Sequence, residues 1–464
     1  MRTKRVRLIA VALVAFLVVA LAFGTFGRRH TADKRPNIIV ICIDTLRRDH
    51  VGAYGYQRQT TPTIDALASE NVLFANAYPN SNWTKPSVAS LLTGLYVSQH
   101  GVKYVVTDQS DSLPVTQRLP EDATTLAEIL KSQGYATIGV VENVHISAKL
   151  GFAQGFDVWD EEPYGATSVT NQLISHLGQS QEPFFAYVHY FDPHAPYYRT
   201  RFYEGEGEIQ PGLQEAKATD YRWTSYTFGM DRALVGLSFL ERQRLVDLYD
   251  GEIRSVDVGI ARLFAELRAR GQYDNSWIII TADHGENFYE TGRMTHPHDC
   301  FENPQIRIPL IMKMPAWESA HSEVVADTVQ LVDIVPTVMS YLDIAPQPGM
   351  MGSDLTGAIL DSKPLVGRSV VAESESGIML ISSKYKFAEI PTEIGTFKFL
   401  YDESEDPLER NNLSAELPDT VRSMAASYGA IAAEATRREL VRQSADVELS
   451  QDEIERMKTL GYIN

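Results

Sequence analysis

Asn37 to Asp44 reads NIIVICID, six consecutive apolar residues closed by an aspartate. A run with no polar alternation predicts a strand buried on both faces, as in a parallel sheet covered by helices. Asp44 would then emerge at the C-terminal edge of that strand, where open α/β sheets bind ligands; a cap or turn aspartate is the alternative. The same texture returns in TIGVV (137–141), FFAYVHYF (184–191), WIIITADHGE (277–286) and IRIPLIMKMP (306–315).

Helical patterns lie between these runs. TTPTIDALASENVLF offers Thr61 as N-cap, Pro62 in the first turn and Ile64, Leu67 and Ala68 on one face. Thr125 to Gln133 is stopped by Gly134. A long segment from Glu241 to Arg270 sets Leu245, Leu248, Val256, Ile260, Leu263 and Leu267 on one side and ends at Gly271. Val332 to Leu342 is a further helix. Strands alternating with helices predict an α/β fold with a mostly parallel central sheet and helices on both faces. From about Leu365, ISSKYKFAEI and FKFLYD predict a small antiparallel unit, followed by helix formers. The expected organisation is an anchor and linker over 1–35, a catalytic domain over 36–364 and a C-terminal antiparallel and helical subdomain over 365–464. Thr200 to Ser238, polar, aromatic and aperiodic, reads as an insertion loop near the site.

The 464 residues are 44% hydrophobic and 22% charged, an ordinary globular composition, and the net charge of −18 excludes the basic footprint of a nucleic-acid binder. The two cysteines, Cys42 and Cys300, make no disulfide framework; both read as buried thiols, with a single bridge left open. Arg2, Lys4, Arg5 and Arg7 precede a charge-free apolar stretch from Leu8 to Phe26, long enough to span a bilayer core. The expectation is an uncleaved single-pass anchor with the remainder extracytoplasmic. A signal peptide cut near Ala20-Leu21-Ala22 is the competing reading.

Chemistry gathers at NWTKPSVASLLTGLY, Asn82 to Tyr96. Thr84 stands two residues before Pro86, which can open a helix whose free N–H groups favour an anion. A hydroxyl beside an anion site suggests attack on a phosphate or sulfate ester; a helix cap is the structural alternative. Asp44, Asp283 and His284 emerge from strand ends and, with Thr84, make a metal set of two carboxylates, an imidazole and an alkoxide. A divalent cation there would lower the hydroxyl pKa and hold charged oxygens. Oxygen ligands suit Ca²⁺, Mg²⁺ or Mn²⁺, and the imidazole moves the balance toward Mn²⁺ or Zn²⁺. His194, His296 and His298 are candidates to protonate a leaving group. Asn143 either faces the site or caps a turn. Glu286 either orients His284 or lies exposed.

These pieces resemble the sulfatase family of the alkaline phosphatase superfamily from about Arg35 to the C-terminus. The matching segments are RPNIIVICIDTLRRDHVGAYGY, TPTIDALA, WTKPSVASLLTGLYVSQHGV, GYATIGVVEN, GFAQGFD, HYFDPHAPY, ITADHGE and IRIPLIMKMP, with LYDESEDPLERNNL and MKTLGYI near the end. The resemblance implies an alkaline-phosphatase-like fold and one divalent metal bound by Asp44, Asp283 and His284, with residue 84 touching it as nucleophile. It implies that His194, of the H-x-P-Y motif, binds the ester anion and leaving group. It also implies a substrate-facing role for His296 or His298, with His298 favoured. Sulfatases open a C/S-x-P-S/A-R motif with a residue converted to formylglycine. Here the run is Thr84-Lys85-Pro86-Ser87-Val88. Threonine is not a substrate for that conversion and the arginine is replaced by Val88, so formylglycine is not expected. A threonine here is similar to the superfamily's phosphodiesterases and its membrane-anchored phosphoethanolamine or phosphoglycerol transferases, which pass through phospho-threonine. The expected function is a membrane-anchored, metal-dependent hydrolase of phosphate or sulfate esters on an anionic glycan or lipid head group. The alternatives are a sulfatase proper, a phosphotransferase, and a non-catalytic anion-binding envelope protein, the last favoured by Val88.

Overall fold

The computed structural model describes residues 35–103, 115–161, 163–197, 239–290, 293–318, 322–392, 394–438 and 444–459. The expected anchor and the expected insertion loop lie outside them. Among the described residues, no helix is long and apolar enough to cross a membrane.

The central sheet has eight strands: β1 (Asn37–Ile43), β2 (Val72–Tyr78), β3 (Ala136–Val141), β4 (Val158–Asp160), β5 (Phe184–Tyr190), β6 (Ser276–Thr281), β7 (Leu310–Lys313) and β8 (Glu323–Gln330). Their order across the sheet is β8-β2-β7-β6-β1-β5-β3-β4. Every pairing is parallel except those of β7, which runs antiparallel to both β2 and β6. The mostly parallel α/β fold read from the apolar runs is therefore the observed one.

β1, β5 and β6 are buried along their whole length, so both sheet faces are covered. The covering helices fall into two groups. α1 (Pro62–Glu70) and α4 (Gly165–Leu177) pack on the long α5 (Phe239–Ala269), while α2 (Thr84–Thr93) packs with α3 (Leu126–Ser132) and α6 (Ile334–Tyr341). All six apolar residues expected on one side of α5 are buried.

Several local expectations need correction. The run ending in NVLF is not all helix: after Asn71 it becomes β2, whose small and polar residues Ala75, Asn76 and Ala77 hide its strand character. β8 was also not expected, because as an edge strand it mixes exposed and buried positions. Thr61 stands at the cap position of α1 without capping it; its hydroxyl bonds Asp65 Oδ1 at 3.0 Å. The first amides of α1, Thr63 and Ile64, instead donate to Asp257 of α5, each at 3.0 Å. Thr125 does cap α3, in a reciprocal box with Glu128.

The second sheet is antiparallel, in the order β9 (Ser369–Glu373), β10 (Ile378–Ser382), β11 (Tyr385–Thr392), β12 (Gly395–Asp402). ISSKYKFAEI is not a single strand: it crosses the turn at Ser383 and Lys384, with Ser383 at φ 57°. Successive side chains of a strand point to opposite faces. Val371, Leu380, Phe387 and Leu400 accordingly meet Val421 and Met424 of α7 (Pro418–Arg438), whereas Val370, Ala372, Met379 and Ile381 meet Tyr78, Phe301 and Ile306.

Candidate active site

β1 and β6 lie side by side, with Cys42 opposite Thr281. Two residues beyond that pair stand Asp44 and Asp283, so parallel register alone brings the two carboxylates together. His284 follows, and one ligand atom from each of Asp44, Asp283 and His284 falls within 4.8 Å of the others, all three residues being buried.

Each carboxylate is anchored through one oxygen and presents the other. Asp44 Oδ2 accepts from Asn143 Nδ2 at 2.7 Å and faces His189 Nε2 at 3.1 Å. Asp283 Oδ1 accepts from the backbone amides of Thr45 (3.2 Å) and His284 (2.9 Å). Asp44 Oδ1 and Asp283 Oδ2 are buried and accept no hydrogen bond. Such oxygens are costly unless a cation meets them. His284 Nδ1 lies 2.9 Å from the Gly285 carbonyl, which assigns the proton of the neutral ring to Nδ1 and turns the Nε2 lone pair toward Asp283 Oδ2 at 3.6 Å and Asp44 Oδ1 at 3.9 Å. These donors fit a divalent cation.

The titration behaviour has the same origin. Burial pushes the Asp44 carboxyl up, but the His189 hydrogen bond and the charges of His194, His189 and His284 outweigh it and hold the group below the usual range. Asp283 is raised, by burial and by Asp44. Burial would lower His284, yet Asp283 and Asp44 raise it, so the two carboxylates favour positive charge at this point.

Thr84 is not a cap. α2 begins at Thr84 itself, with Trp83 in the cap position, and Pro86 occupies the third helical residue, where its missing N–H breaks no bond. Thr84 Oγ1 stands 3.4 Å from Asp44 Oδ2 and 3.3 Å from His284 Nε2.

The remaining candidates surround this point. His194 is buried, stacks on Phe191 at 4.5 Å and meets His296 edge-on at 4.9 Å; burial lowers its pKa to about 4. His296 lies 4.7 Å from the His284 ring, centroid to centroid, and its Nδ1 bonds Glu286 Oε1 at 3.0 Å. His298, the favoured member of the pair, stacks on Trp83, the neighbour of Thr84, at 4.7 Å and its Nδ1 is 3.5 Å from Glu375. Glu286 is neither exposed nor bonded to His284. It is fully buried, bonds His296 and Tyr197, and burial lifts its pKa to about 7. Asn143 fills both of its alternatives, donating to Asp44 and accepting from the His145 amide at 2.8 Å. Cys42 and Cys300 are free buried thiols, so no bridge joins them.

Three neighbours were not anticipated. His189 hides inside the apolar run of β5, opposite Cys42, and the parallel register is the signal that could have found it. His145 lies in a short turn after β3, edge-on to Trp83 at 5.0 Å. Lys85 is buried beside Thr84, its Nζ held by the Thr116 hydroxyl and by Gln117 O at 3.1 Å; burial lowers its pKa to about 7.

The sulfatase family model matches residues 36–344, two thirds of the chain. The chain belongs to the sulfatase family. Among curated sulfatase-family relatives, a Δ4,5-hexuronate-2-O-sulfatase of Bacteroides thetaiotaomicron is 24% identical over 84% of this chain and 87% of its own length. A multifunctional alkaline phosphatase superfamily protein of Trinickia caryophylli is 24% identical over 71% of this chain and 78% of its own. Among solved structures, the phosphonate monoester hydrolase of Agrobacterium radiobacter superposes with a TM-score of 0.70 at 19% identity, covering 89% of this chain and 97% of that one. Family membership makes this chain an ester hydrolase of alkaline-phosphatase-like fold.

Proposed function

We propose that this sulfatase-family hydrolase cleaves phosphate esters, with sulfate esters as the second substrate class, through Thr84 as a covalent nucleophile. The observation that carries the reading is the position of Thr84 Oγ1, within 3.4 Å of both Asp44 Oδ2 and His284 Nε2, beside two carboxylate oxygens that accept no hydrogen bond. Asp44, Asp283 and His284 would hold one divalent ion, of which Ca²⁺, Mn²⁺ and Zn²⁺ are the candidates. Such an ion supplies charge that acidifies a hydroxyl and neutralises ester oxygens.

In the first step the Thr84 hydroxyl gives up its proton to solvent, its Oγ lone pair forms a bond to phosphorus, the bond from phosphorus to the leaving oxygen breaks, and that oxygen leaves with its electron pair. In the free protein burial keeps His194 neutral at neutral pH. A bound anion raises its pKa and makes a proton available to the leaving oxygen. Asn143 and His189 hold Asp44 in place. Water then attacks phosphorus, the bond from phosphorus to Thr84 Oγ breaks, and Oγ takes a proton from the attacking water as phosphate is released. Threonine and Val88 in the motif argue against formylglycine. The sulfate reading is supported by the names of the relatives, the phosphate reading by the threonine.

The proposed setting is extracytoplasmic, with 1–35 as a single-pass anchor and linker, 36–364 as the catalytic domain and 365–464 as the C-terminal subdomain. The substrate would be an ester on an anionic glycan or lipid head group. The deciding experiment compares aryl sulfate, phosphomonoester and phosphodiester turnover by the wild type and Thr84→Ala, with mass spectrometry of the Thr84 peptide after quenching. Loss of about 10³-fold or more in Thr84→Ala, with a modified Thr84 in the wild type, is expected. Full activity in Thr84→Ala would remove the nucleophile assignment. Membrane-fraction and protease-accessibility assays test the setting; the full chain recovered in the soluble cytosolic fraction would sink it.

A further inference from the structure

Residues 444–459 supply none of the candidate site residues, yet they are fastened to the site at two points. The first is a backbone graft. The strand Asp446–Glu448 pairs antiparallel with Val115–Gln117, Val447 opposite Thr116. The graft extends through Ser444 Oγ, which donates to Arg118 O at 2.8 Å, and Arg118 N, which donates to Ala445 O at 3.1 Å. Thr116 and Gln117 are the residues that hold Nζ of Lys85, the neighbour of Thr84 in the first turn of α2. The second point is apolar. Leu449, with Ile454 and Met457 from α8 (Gln451–Thr459), buries against Phe191, with Val144 packed at its edge. Phe191 carries the stacked ring of His194, and Val144 lies between Asn143 and His145. Lys149, just beyond that turn, pairs with Glu453 of α8 at 2.5 Å.

We infer that this segment is a strap that positions the leaving-group side of the site. Leu449, Ile454 and Met457 are positioning residues, acting through Phe191 on His194. None of them touches the reacting atoms. Beside the strand pairing, its flanking hydrogen bonds and the Lys149–Glu453 pair, the three apolar side chains are what reaches Phe191, so a single polar substitution among them can release that contact while the sheet stays intact. A stacked aromatic pair has a preferred geometry, so moving Phe191 rotates or frees the imidazole above it. The inference rests on the proposed role of His194 at the ester anion, but not on Thr84 being the nucleophile.

The test uses the full chain with Ile454→Asp, Ile454→Leu and Met457→Ala, alone and combined with His194→Ala. The readouts are kcat, KM and bound metal, with inorganic phosphate affinity and the histidine ring signals by NMR. In Ile454→Asp, kcat is expected to fall about ten-fold or more with metal content unchanged, since small displacements of a positioned group have effects of this order. Ile454→Leu is expected to stay within about two-fold of the wild type. In the His194→Ala background, Ile454→Asp is expected to cost less than about three-fold further, the signature of two residues acting through one group. An undiminished loss in that background overturns the strap, as does wild-type kinetics in Ile454→Asp. Met457→Ala carries the same cycle if the aspartate variant does not fold. Should Thr84→Ala keep its activity, the nucleophile reading fails while this cycle still reports on the strap. Should no ester be turned over, the NMR arm decides: His194 ring signals and phosphate affinity that change in Ile454→Asp, while the His284 signals do not, support the strap, and unchanged signals overturn it.

Discussion

Asp44 and Asp283 are built alike, one oxygen tied to protein donors and the other left bare. That division marks where a cation would bind. Asp283→Asn puts an amide at the bare position and is expected to lower divalent-ion affinity by about 10²-fold, the range seen when a metal site loses a supporting group. Calorimetric titration with Mn²⁺ or Zn²⁺ reads it, and unchanged affinity would show that Asp283 is not a ligand. Glu286 offers a second handle. Its folded pKa of about 7 lies above the ordinary glutamate value, so between these values the folded state binds more protons and stability falls as pH rises. In the metal-free protein, Glu286→Gln is therefore expected to gain stability relative to wild type between pH 5 and pH 8, by up to about 3 kcal/mol. Urea titrations at the two pH values measure this, and an equal difference at both would contradict it. Asp44, Asp283 and His284 were legible because each follows an unbroken apolar run, and Thr84 because it precedes Pro86 and an apolar helical segment. His189 was not, since an imidazole inside an apolar strand carries no local mark of the neighbour across the sheet. The HPHD spacing does not say which of His296 and His298 faces a substrate.

At the scale of elements, the clearest long-range contact outside the site is Asp257 of α5 under the first turn of α1. It does the work that a capping side chain would normally do from within the helix itself. Asp257→Ala leaves the buried Ile64 amide and the part-buried Thr63 amide without this acceptor and is expected to cost about 1–3 kcal/mol of stability with kcat unchanged. Denaturant midpoints together with turnover check both halves, and a kcat loss would tie α1 to the site. The expected Thr61 cap failed for the same reason: competition from a residue nearly two hundred positions away is invisible in a local pattern. Strands were legible in proportion to their burial. β1, β5 and β6 are apolar throughout, whereas β8 faces solvent along much of its length and was passed over.

For the whole molecule, an ion held by Asp44, Asp283 and His284 would link binding to folding, because the unfolded chain cannot gather the three. Chelation is expected to lower the denaturation midpoint, and adding back an ion at about 100 times its dissociation constant is expected to restore about 2.7 kcal/mol. A midpoint indifferent to chelator and to Ca²⁺, Mn²⁺ and Zn²⁺ would argue that the carboxylate pair serves something other than a cation.

The sheet order has a kinetic consequence. β1, the first strand in the chain, lies near the middle in space, paired with Phe185 to Tyr190 on one side and Ser276 to Thr281 on the other. β2 likewise waits for β7 and β8. During synthesis β1 has no neighbour in the sheet until Phe184–Tyr190 has emerged and only one until Ser276–Thr281 follows, and loop closure over such separations is slow. For that interval NIIVICI is an exposed apolar edge, the kind of segment that holdase chaperones capture and that aggregates when they are scarce.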